Sequence, residues 1–337
     1  MTHATPQATQ VRMKRHPQGM VTRDDFDIVA VDLPVPGEGQ ALVKVLYLSL
    51  DPYQRPMMDP VRSYITPLQP GQTMPGGTVA EVIASNEPAL PVGTVVACML
   101  GWQSHGLVTK ATARVLDPNL GPPSAALGIL GMTGVTAHYG LLKLGQPKPG
   151  ETVVVTAASG AVGSVVGQLA KIRGCRAVGV AGGPEKCRYV VEELGFDACV
   201  DYRAPDFAAQ LAAATPDYVD VLFENVGGEI FDAILKRIAD HARIPFCGNI
   251  SQYNETEPYG VKGIRELLMH RVTLSAFIIA DHREYWPGAI AELAGWLKEG
   301  KLRYREDIAE GLNEAPAAFI RMLTGKNFGK QLVRVAS

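Results

Sequence analysis

The chain has no uninterrupted apolar run approaching about 18 residues, so no segment reads as a membrane span. Its first ten residues, Met1–Gln10, are polar and lack the apolar core of a secretory signal, and cytoplasm is the expected location. Charge of one sign is missing as well. With 34 acidic against 32 basic side chains the net charge is -2, which gives neither nucleic acid nor an anionic membrane surface a reason to bind. Cysteine is sparse and odd in number: Cys98, Cys175, Cys187, Cys199 and Cys247 are scattered over predicted strands and helices and read as reduced core residues, not as a disulfide framework. There is no C-x-x-C, and the seven histidines, from His3 to His282, show no grouping. With nothing to supply about three converging ligands, no metal site is expected. What remains is ordinary: 337 residues, 47% hydrophobic and 20% charged, enough for two globular domains of roughly 150 residues each.

Within that chain, residues 151–171 run from an apolar strand through small residues directly into an amphipathic helix. Thr152–Thr156 is a β-branched run of the kind buried in a parallel sheet, and Val165, Val166, Leu169 and Ala170 follow helical spacing. The loop between them, Ala157-x-x-Gly160-x-x-Gly163, departs from the plain G-x-G-x-x-G. Gly160 lets backbone approach a ligand and Gly163 lets the helix approach the strand, so a pyrophosphate would sit on free N–H groups at the helix start. Taken alone, the loop also fits an ordinary strand-to-helix turn. Its context is a βαβ unit, because a second strand follows at 176–182. Further strands at 198–202, 219–225, 242–248 and 272–278 alternate with helices at 161–173, 184–194, 205–213, 229–238 and 261–270. This alternation predicts an α/β fold with a doubly wound parallel sheet.

The end of the second strand bears on the cofactor. A site for NAD usually places a carboxylate there. Val180–Gly183 carries none, Lys186 follows, and Tyr202 ends the third strand, a combination that suits the 2'-phosphate of NADPH. Two bonds to a charged group, at roughly 1.5–3 kcal/mol each, would favour NADPH by about a hundredfold or more. Glu185 pointing into the site, or Lys186 standing solvated on its helix, is the opposing possibility. The fourth and fifth strands end in Glu224-Asn-Val-Gly-Gly228 and Cys247-Gly-Asn-Ile-Ser-Gln-Tyr-Asn254, which puts Asn225 and Tyr253 where nicotinamide and substrate would meet. Asn225 before two glycines is equally a good turn former.

Residues 1–125 read as all-β, with strands at 26–31, 40–48, 77–85, 94–100 and 106–116, and their prolines exclude long helices. A compact barrel is expected. Asp51-Pro-Tyr-Gln-Arg55 places Tyr53 on a loop, and Tyr64 follows; each phenol either packs on its own barrel or contacts ligand. Residues 127–144 read as a connecting helix whose Thr133 and Thr136 either pack or face the ligand. A helix at 315–323 and a strand at 331–335 return to complete the barrel. Gly325-Lys-Asn-Phe-Gly-Lys330 is either a solvated basic turn or a phosphate or amide contact. The expected domains are 1–125, 126–300 and a returning segment, 301–337.

The succession AASGAVGSVVGQLAK, AGGPEKCRY, ELGFD, ENVGG, CGNISQYN and GKNFGK spans almost the whole chain. It resembles the zinc-free, NADPH-dependent branch of the medium-chain dehydrogenase/reductases, and most of all the curcumin reductases, prostaglandin reductases, leukotriene hydroxydehydrogenases and alkenal double-bond reductases. The resemblance implies a GroES-like β-barrel catalytic domain with a Rossmann domain, usually in a homodimer. It implies that Lys186 and Tyr202, beside Gly182, hold the 2'-phosphate, and that Gly160, Ala161, Val162 and Gly163 hold the pyrophosphate. Thr136, Asn225, Cys247, Gly248, Ser251, Tyr253, Phe277, Ile278, Ile279 and Asn327 are expected to contact the rest of NADPH. The family's DPYMR is DPYQR here, with Gln54 for methionine and Pro56 for a frequent glycine, which leaves substrate shape open. The implied reaction passes hydride from NADPH to the β-carbon of an α,β-unsaturated ketone or aldehyde. Tyr253 is the first choice to stabilise the developing enolate or return the proton, with Tyr64 and Tyr53 lining the substrate. A quinone reductase on the same fold and an NADPH-binding sensor without turnover are the competing functions.

Overall fold

The computed structural model describes residues 7–336; the first six residues of the polar N-terminal stretch lie outside the described residues. The chain divides into two compact units, Met1–Gly128 with Glu306–Ser337, and Ile129–Arg305.

In the first unit β1 (Gln7–Met13) and β2 (Phe26–Asp32) form an antiparallel ribbon, and β3 (Ala41–Ser49) is the hub of a larger sheet. One edge of β3 pairs with β4 (Thr78–Ser85), which continues to β5 (Val95–Cys98); the other is shared by β6 (His105–Val108) and, beyond β7 (Ala113–Val115) in the chain, by the C-terminal strand described below. Flanked on both edges, Val43, Val45 and Leu48 are shut off from solvent. The predicted strand at 106–116 is two strands, because Thr109 and Thr112 close a turn between them: the Thr109 N–H donates to the Thr112 hydroxyl at 2.9 Å and the Thr112 N–H to the Thr109 carbonyl at 3.0 Å. Strand β1 was not anticipated. Among its polar residues Ala8, Val11 and Met13 are buried.

In the second unit β8 (Thr152–Thr156), β9 (Arg176–Ala181), β10 (Ala198–Asp201), β11 (Val219–Phe223), β12 (Ile238–Phe246) and β13 (Thr273–Ala276) form a parallel sheet in the order β10-β9-β8-β11-β12-β13. This is the doubly wound sheet that the alternation predicted, with the chain reversing direction at β8. All five residues of β8 are buried, which explains its β-branched composition. After α1 (Gln54–Met57) of the first unit, the helices are α2 (Met132–Tyr139), α3 (Gly163–Ile172), α4 (Pro184–Glu192), α5 (Phe207–Ala214), α6 (Gly228–Leu235), α7 (Ile264–Met269) and α8 (Trp286–Lys298). The single helix predicted over 127–144 is instead a turn at 128–131, α2 and a widened π turn at Gly140–Gly145; a Cβ on Gly134 would lie 1.9 Å from the Ile129 carbonyl oxygen and one on Gly140 2.6 Å from the Phe223 ring, so close packing sets the backbone path here. Strand β12 begins at Ile238, inside the predicted helix 229–238, because a turn from Ile234 to Arg237 stops α6 early.

The C-terminal segment returns to the first unit as β14 (Glu306–Glu310), α9 (Ala315–Leu323) and β15 (Lys330–Arg334), where β15 pairs with β3 and lies parallel to β14. Phe319 of α9 meets Trp102 and Phe26 edge-on at 5.4 and 6.4 Å, and those two rings stack at 5.5 Å. Such pairs contribute about 0.5–1.5 kcal/mol each beyond burial and tie the two ends of the chain into one core. Among the described residues no helix is long and apolar enough to cross a membrane.

Candidate functional site

In the second unit the candidates gather at the carboxyl ends of the parallel strands, where ligands bind open α/β sheets. Gly160–Gly163 follow β8, Gly182 and Lys186 follow β9, Tyr202 follows β10, and Asn225 follows β11. Cys247, Gly248, Ser251 and Tyr253 follow β12, and Phe277, Ile278 and Ile279 follow β13. Thr136 sits in α2, nearly buried, with its hydroxyl donating to the Met132 carbonyl at 2.7 Å. Tyr53, Tyr64 and Asn327 belong to the first unit.

The β8–α3 turn fits a pyrophosphate. Ala157 adopts a left-handed conformation (φ 53°), and a Cβ on Gly163 would lie 2.3 Å from its carbonyl oxygen, so only glycine lets α3 start so close to the strand. Helix α3 also opens with no side-chain cap, and the Ser164 and Val165 N–H groups already donate to the Gly160 and Val162 carbonyls at 3.0 and 3.1 Å, so what the helix start offers an anion is the positive end of its dipole.

The neighbouring strand ends fit a phosphate monoester. A Cβ on Gly182 would lie 2.9 Å from the Tyr202 hydroxyl, so the phenol lies across the end of β9, and Lys186 stands in the first turn of α4. The guanidinium of Arg203 sits 5.5 Å from the Tyr202 ring centroid, a cation that sequence reasoning missed although it is adjacent to Tyr202. The structure also corrects the view that this strand end lacks a carboxylate. Asp201 reaches it from β10, but its Oδ1 already accepts the Gly183 N–H at 2.9 Å and the Arg203 N–H at 3.0 Å.

Beyond β11 and β12 two turns clasp each other. The N–H and the hydroxyl of Ser251 both donate to the Val226 carbonyl, at 3.0 and 2.6 Å, and the Ile250 N–H donates to the Asn225 carbonyl at 3.1 Å. The Asn225 amide donates to the Thr156 carbonyl at 2.8 Å, so this side chain holds the turn. A Cβ on Gly248 would meet the Tyr253 hydroxyl at 3.3 Å; the phenol tip therefore stands directly over this corner.

Beneath it lies Glu224, fully buried. Its Oε1 accepts N–H bonds from Val226 at 2.5 Å and Gly227 at 2.7 Å and the Thr156 hydroxyl at 3.1 Å, whereas Oε2 has no partner among the described residues. Burial outweighs these donors and pushes the carboxyl up to about 7. A folded-state value raised above the unfolded one means that its contribution to stability is complete below about pH 4.5 and is lost as pH rises through about 7. Glu224→Gln, which stays neutral, is expected to match the wild type at pH 4.5 and to exceed it by on the order of 2 kcal/mol at pH 8. Urea unfolding at the two pH values checks this; an equal difference at both would rule out titration of Glu224.

In the first unit the Asp51–Arg55 loop is held by buried polar bonds. Lys330 Nζ pairs with Asp51 Oδ1 at 2.5 Å and donates to the Leu50 carbonyl at 3.0 Å, while the Ser49 hydroxyl donates to the other Asp51 oxygen. Gln54 accepts from the Asp51 N–H at 3.1 Å and donates to the Ser49 and Pro75 carbonyls at 3.2 and 2.9 Å. Lys330 is thus neither part of a solvated turn nor a phosphate contact, as Gly325–Lys330 first suggested; it is 4% exposed and anchors Asp51. Sequence reasoning missed Ser49, Gln54 and Lys330 as the supports of this loop. Burial first, then the charge of Asp51 and the presence of Tyr64, hold the Tyr53 phenol well above its ordinary range, so it remains a proton-bearing donor. Tyr64 is mostly exposed, and Asn327 donates to the Gly329 carbonyl at 2.9 Å. Among the described residues no three His, Cys, Asp or Glu side chains gather as a metal site.

Two family profiles match the chain, one described as N-terminal domain of oxidoreductase over residues 9–116 and one as zinc-binding dehydrogenase over residues 161–295. The NADPH-dependent curcumin reductase of Escherichia coli (strain K12) is 48% identical over 326 residues, covering 95% of this chain and 94% of that protein. The 2-alkenal reductase (NADP(+)-dependent) of Nicotiana tabacum is 39% identical, covering 97% of each. The crystal structure of CurA from Vibrio vulnificus in complex with NADPH superposes with a TM-score of 0.94 at 44% identity, over 98% of this chain and 99% of that one.

Proposed function

The chain belongs to the medium-chain dehydrogenase/reductase family, in the branch of the curcumin, prostaglandin and 2-alkenal reductases, and we infer that it is an NADPH-dependent reductase of the C=C bond of α,β-unsaturated ketones and aldehydes. The observation that carries the substrate class is the relatedness, along nearly the whole chain, to enzymes named for such substrates. The cofactor half rests on the cradle: Gly163 where a side chain cannot fit, and Tyr202 across Gly182 beside Lys186 and Arg203.

We assign Gly160–Gly163 to the pyrophosphate and Lys186 and Tyr202 to the 2'-phosphate, with Asn225, Cys247, Gly248, Ser251, Phe277, Ile278, Ile279, Thr136 and Asn327 contacting the remainder. Bound there, NADPH supplies a hydride to the electron-poor β-carbon. The chain's part is to orient the substrate and meet the charge that develops on its carbonyl oxygen. Tyr253, fixed over Gly248, is the assigned hydrogen-bond donor and proton source, because a positioned phenol O–H can donate to the oxygen on which charge develops. Tyr53 and Tyr64 are assigned to substrate contact. Tyr253→Phe is expected to lower kcat for an enone roughly tenfold to a hundredfold with little change in KM for NADPH, the signature of a bond that strengthens in the transition state. Single-turnover NADPH oxidation over a panel of enals, enones and diarylheptanoids tests it. Failure of the whole panel alongside rapid benzoquinone reduction would overturn the substrate class.

A homodimer is part of this reading. Among the described residues β13 ends the sheet with only β12 as neighbour, and the adjoining α7 exposes Ile264, Leu268 and Met269, with Leu268 78% exposed. Unpaired strand edges and apolar patches of this kind favour association with a second copy. Light scattering at micromolar protein should give about twice the monomer mass, and Leu268→Lys should reduce it. A cytoplasmic location is likewise proposed, to be checked by cell fractionation.

A further inference from the structure

Two of the five cysteines stand against each other. Cys187 lies one residue beyond Lys186 in α4, Cys199 lies in β10 two residues before Asp201, and their thiols are hydrogen-bonded. Independent geometry places both on the same side of the sheet: a Cβ on Gly179 of β9 would lie 3.2 Å from Cys199 Sγ and 2.9 Å from Val190 Cγ1, and Val190 follows Cys187 by one turn of α4. Both cysteines are half-buried, so a small oxidant reaches them. Nothing in the reductase chemistry above uses either.

We propose that Cys187 and Cys199 form a peroxide-responsive dithiol that closes reversibly to an intrachain disulfide next to the 2'-phosphate segment.

The attacking sulfur is Cys187. The S–H of Cys199 donates to it, with a further bond from the Ala181 backbone, and together these pull its thiol below the usual range. Cys98, Cys175 and Cys247 move the other way on burial, Cys175 to about 11 and Cys247 to about 12. Since only the thiolate reacts at a useful rate, the structure singles out Cys187. The Cys187 thiolate attacks one oxygen of hydrogen peroxide; the O–O bond breaks, Cys187 becomes a sulfenic acid, and the hydroxide takes a proton to leave as water. Cys199 then attacks that sulfur. The S–S bond forms as the S–O bond breaks, and the Cys199 proton departs with the second water. Two thiols have lost two electrons and one peroxide has become two waters.

Closing a thiol contact to an S–S bond of about 2.05 Å draws the first turn of α4 towards β10. Lys186 moves with α4, while Tyr202 stays with β10 and the Asp201 bond to Gly183. The effect on cofactor affinity rests on the proposed roles of Lys186 and Tyr202; formation of the disulfide does not.

The reduced 337-residue chain should titrate five thiols in denaturant. After hydrogen peroxide, three should remain, with a Cys187–Cys199 peptide in the digest, and dithiothreitol should restore all five. In Cys199→Ser, a sulfenic-acid probe should label Cys187 and no linked peptide should form. Five surviving thiols, or linkage to another cysteine or another chain, would overturn the dithiol. KM for NADPH should rise about fivefold in the oxidised wild type and fall back on reduction, with no such rise in Cys187→Ser. A disulfide that forms and leaves KM unchanged would overturn its coupling to the phosphate segment alone.

Discussion

Lys330→Met is expected to lose about 3–5 kcal/mol of folding free energy, because it strands the Asp51 carboxylate in a site from which water is excluded. Both partners are almost wholly buried, and the pair is bridged at 2.5 Å. Removing one partner leaves the other charged and unpaired, apart from the Ser49 hydroxyl and the Gln54 framework around its backbone. Replacing both is a different matter. Asp51→Asn combined with Lys330→Met leaves a neutral amide that still accepts from Ser49, and it should recover the larger part of the loss. Urea unfolding of the full chain reads this directly, as does a fall in Tm of roughly 10 °C for the single variant. A single-variant loss below about 1 kcal/mol, or a double variant no better than either single, would mean that the buried pair does not support the Tyr53 loop as argued.

That pair also marks how far the sequence alone could be read. The sheet of the second unit was legible because each βα step is local: Thr152–Thr156, the Gly160–Gly163 turn and the Pro184 helix start all declare themselves within a dozen residues. Asn225 and Tyr253 followed from the rule for parallel sheets, whereas Cys247, Gly248, Ser251 and Phe277–Ile279 entered only through the family resemblance; all of them lie beyond the strand ends of β11–β13. Asp51 and Lys330 are 279 positions apart, and no spacing reveals a partner at that distance. Gly325–Lys330 therefore read as either a solvated basic turn or a phosphate or amide contact, although its last lysine is a core residue. The Asp201 carboxylate was missed for a related reason: it belongs to β10 in sequence and to the end of β9 in space. Strand β1 escaped because Thr9 and Gln10 separate Ala8 from Val11 and break the period of two, and because its partner lies beyond a loop. The 127–144 segment misled in the opposite direction, since a run of small residues is compatible with several helical pitches and only packing selects among them. Local chemistry was readable; pairings made by the fold were not.

The 2'-phosphate segment is where local chemistry makes its strongest claim, and Lys186→Ala is expected to raise KM for NADPH tenfold to a hundredfold while changing KM for NADH less than about twofold. The argument is one of difference. On the proposed assignment both dinucleotides would present the same pyrophosphate to Gly160–Gly163 and the same nicotinamide half to the corner under Tyr253, so whatever those residues contribute would cancel in the ratio. Only the extra phosphate distinguishes the two, and it would lie among an ammonium, a phenol and the neighbouring guanidinium of Arg203. Tyr202→Phe removes a donor to the charged phosphate worth roughly 1.5–3 kcal/mol and should therefore raise KM for NADPH about tenfold to a hundredfold. Arg203 limits how much any single substitution can achieve, so Lys186→Ala with Arg203→Ala should approach equal use of the two cofactors. In the wild type the discrimination should weaken as salt rises, because charges open to solvent are screened over about 8–10 Å. Equal damage to NADH and NADPH in Lys186→Ala would place this lysine among structural residues of α4 and leave the preference for the phosphorylated cofactor without its chief support.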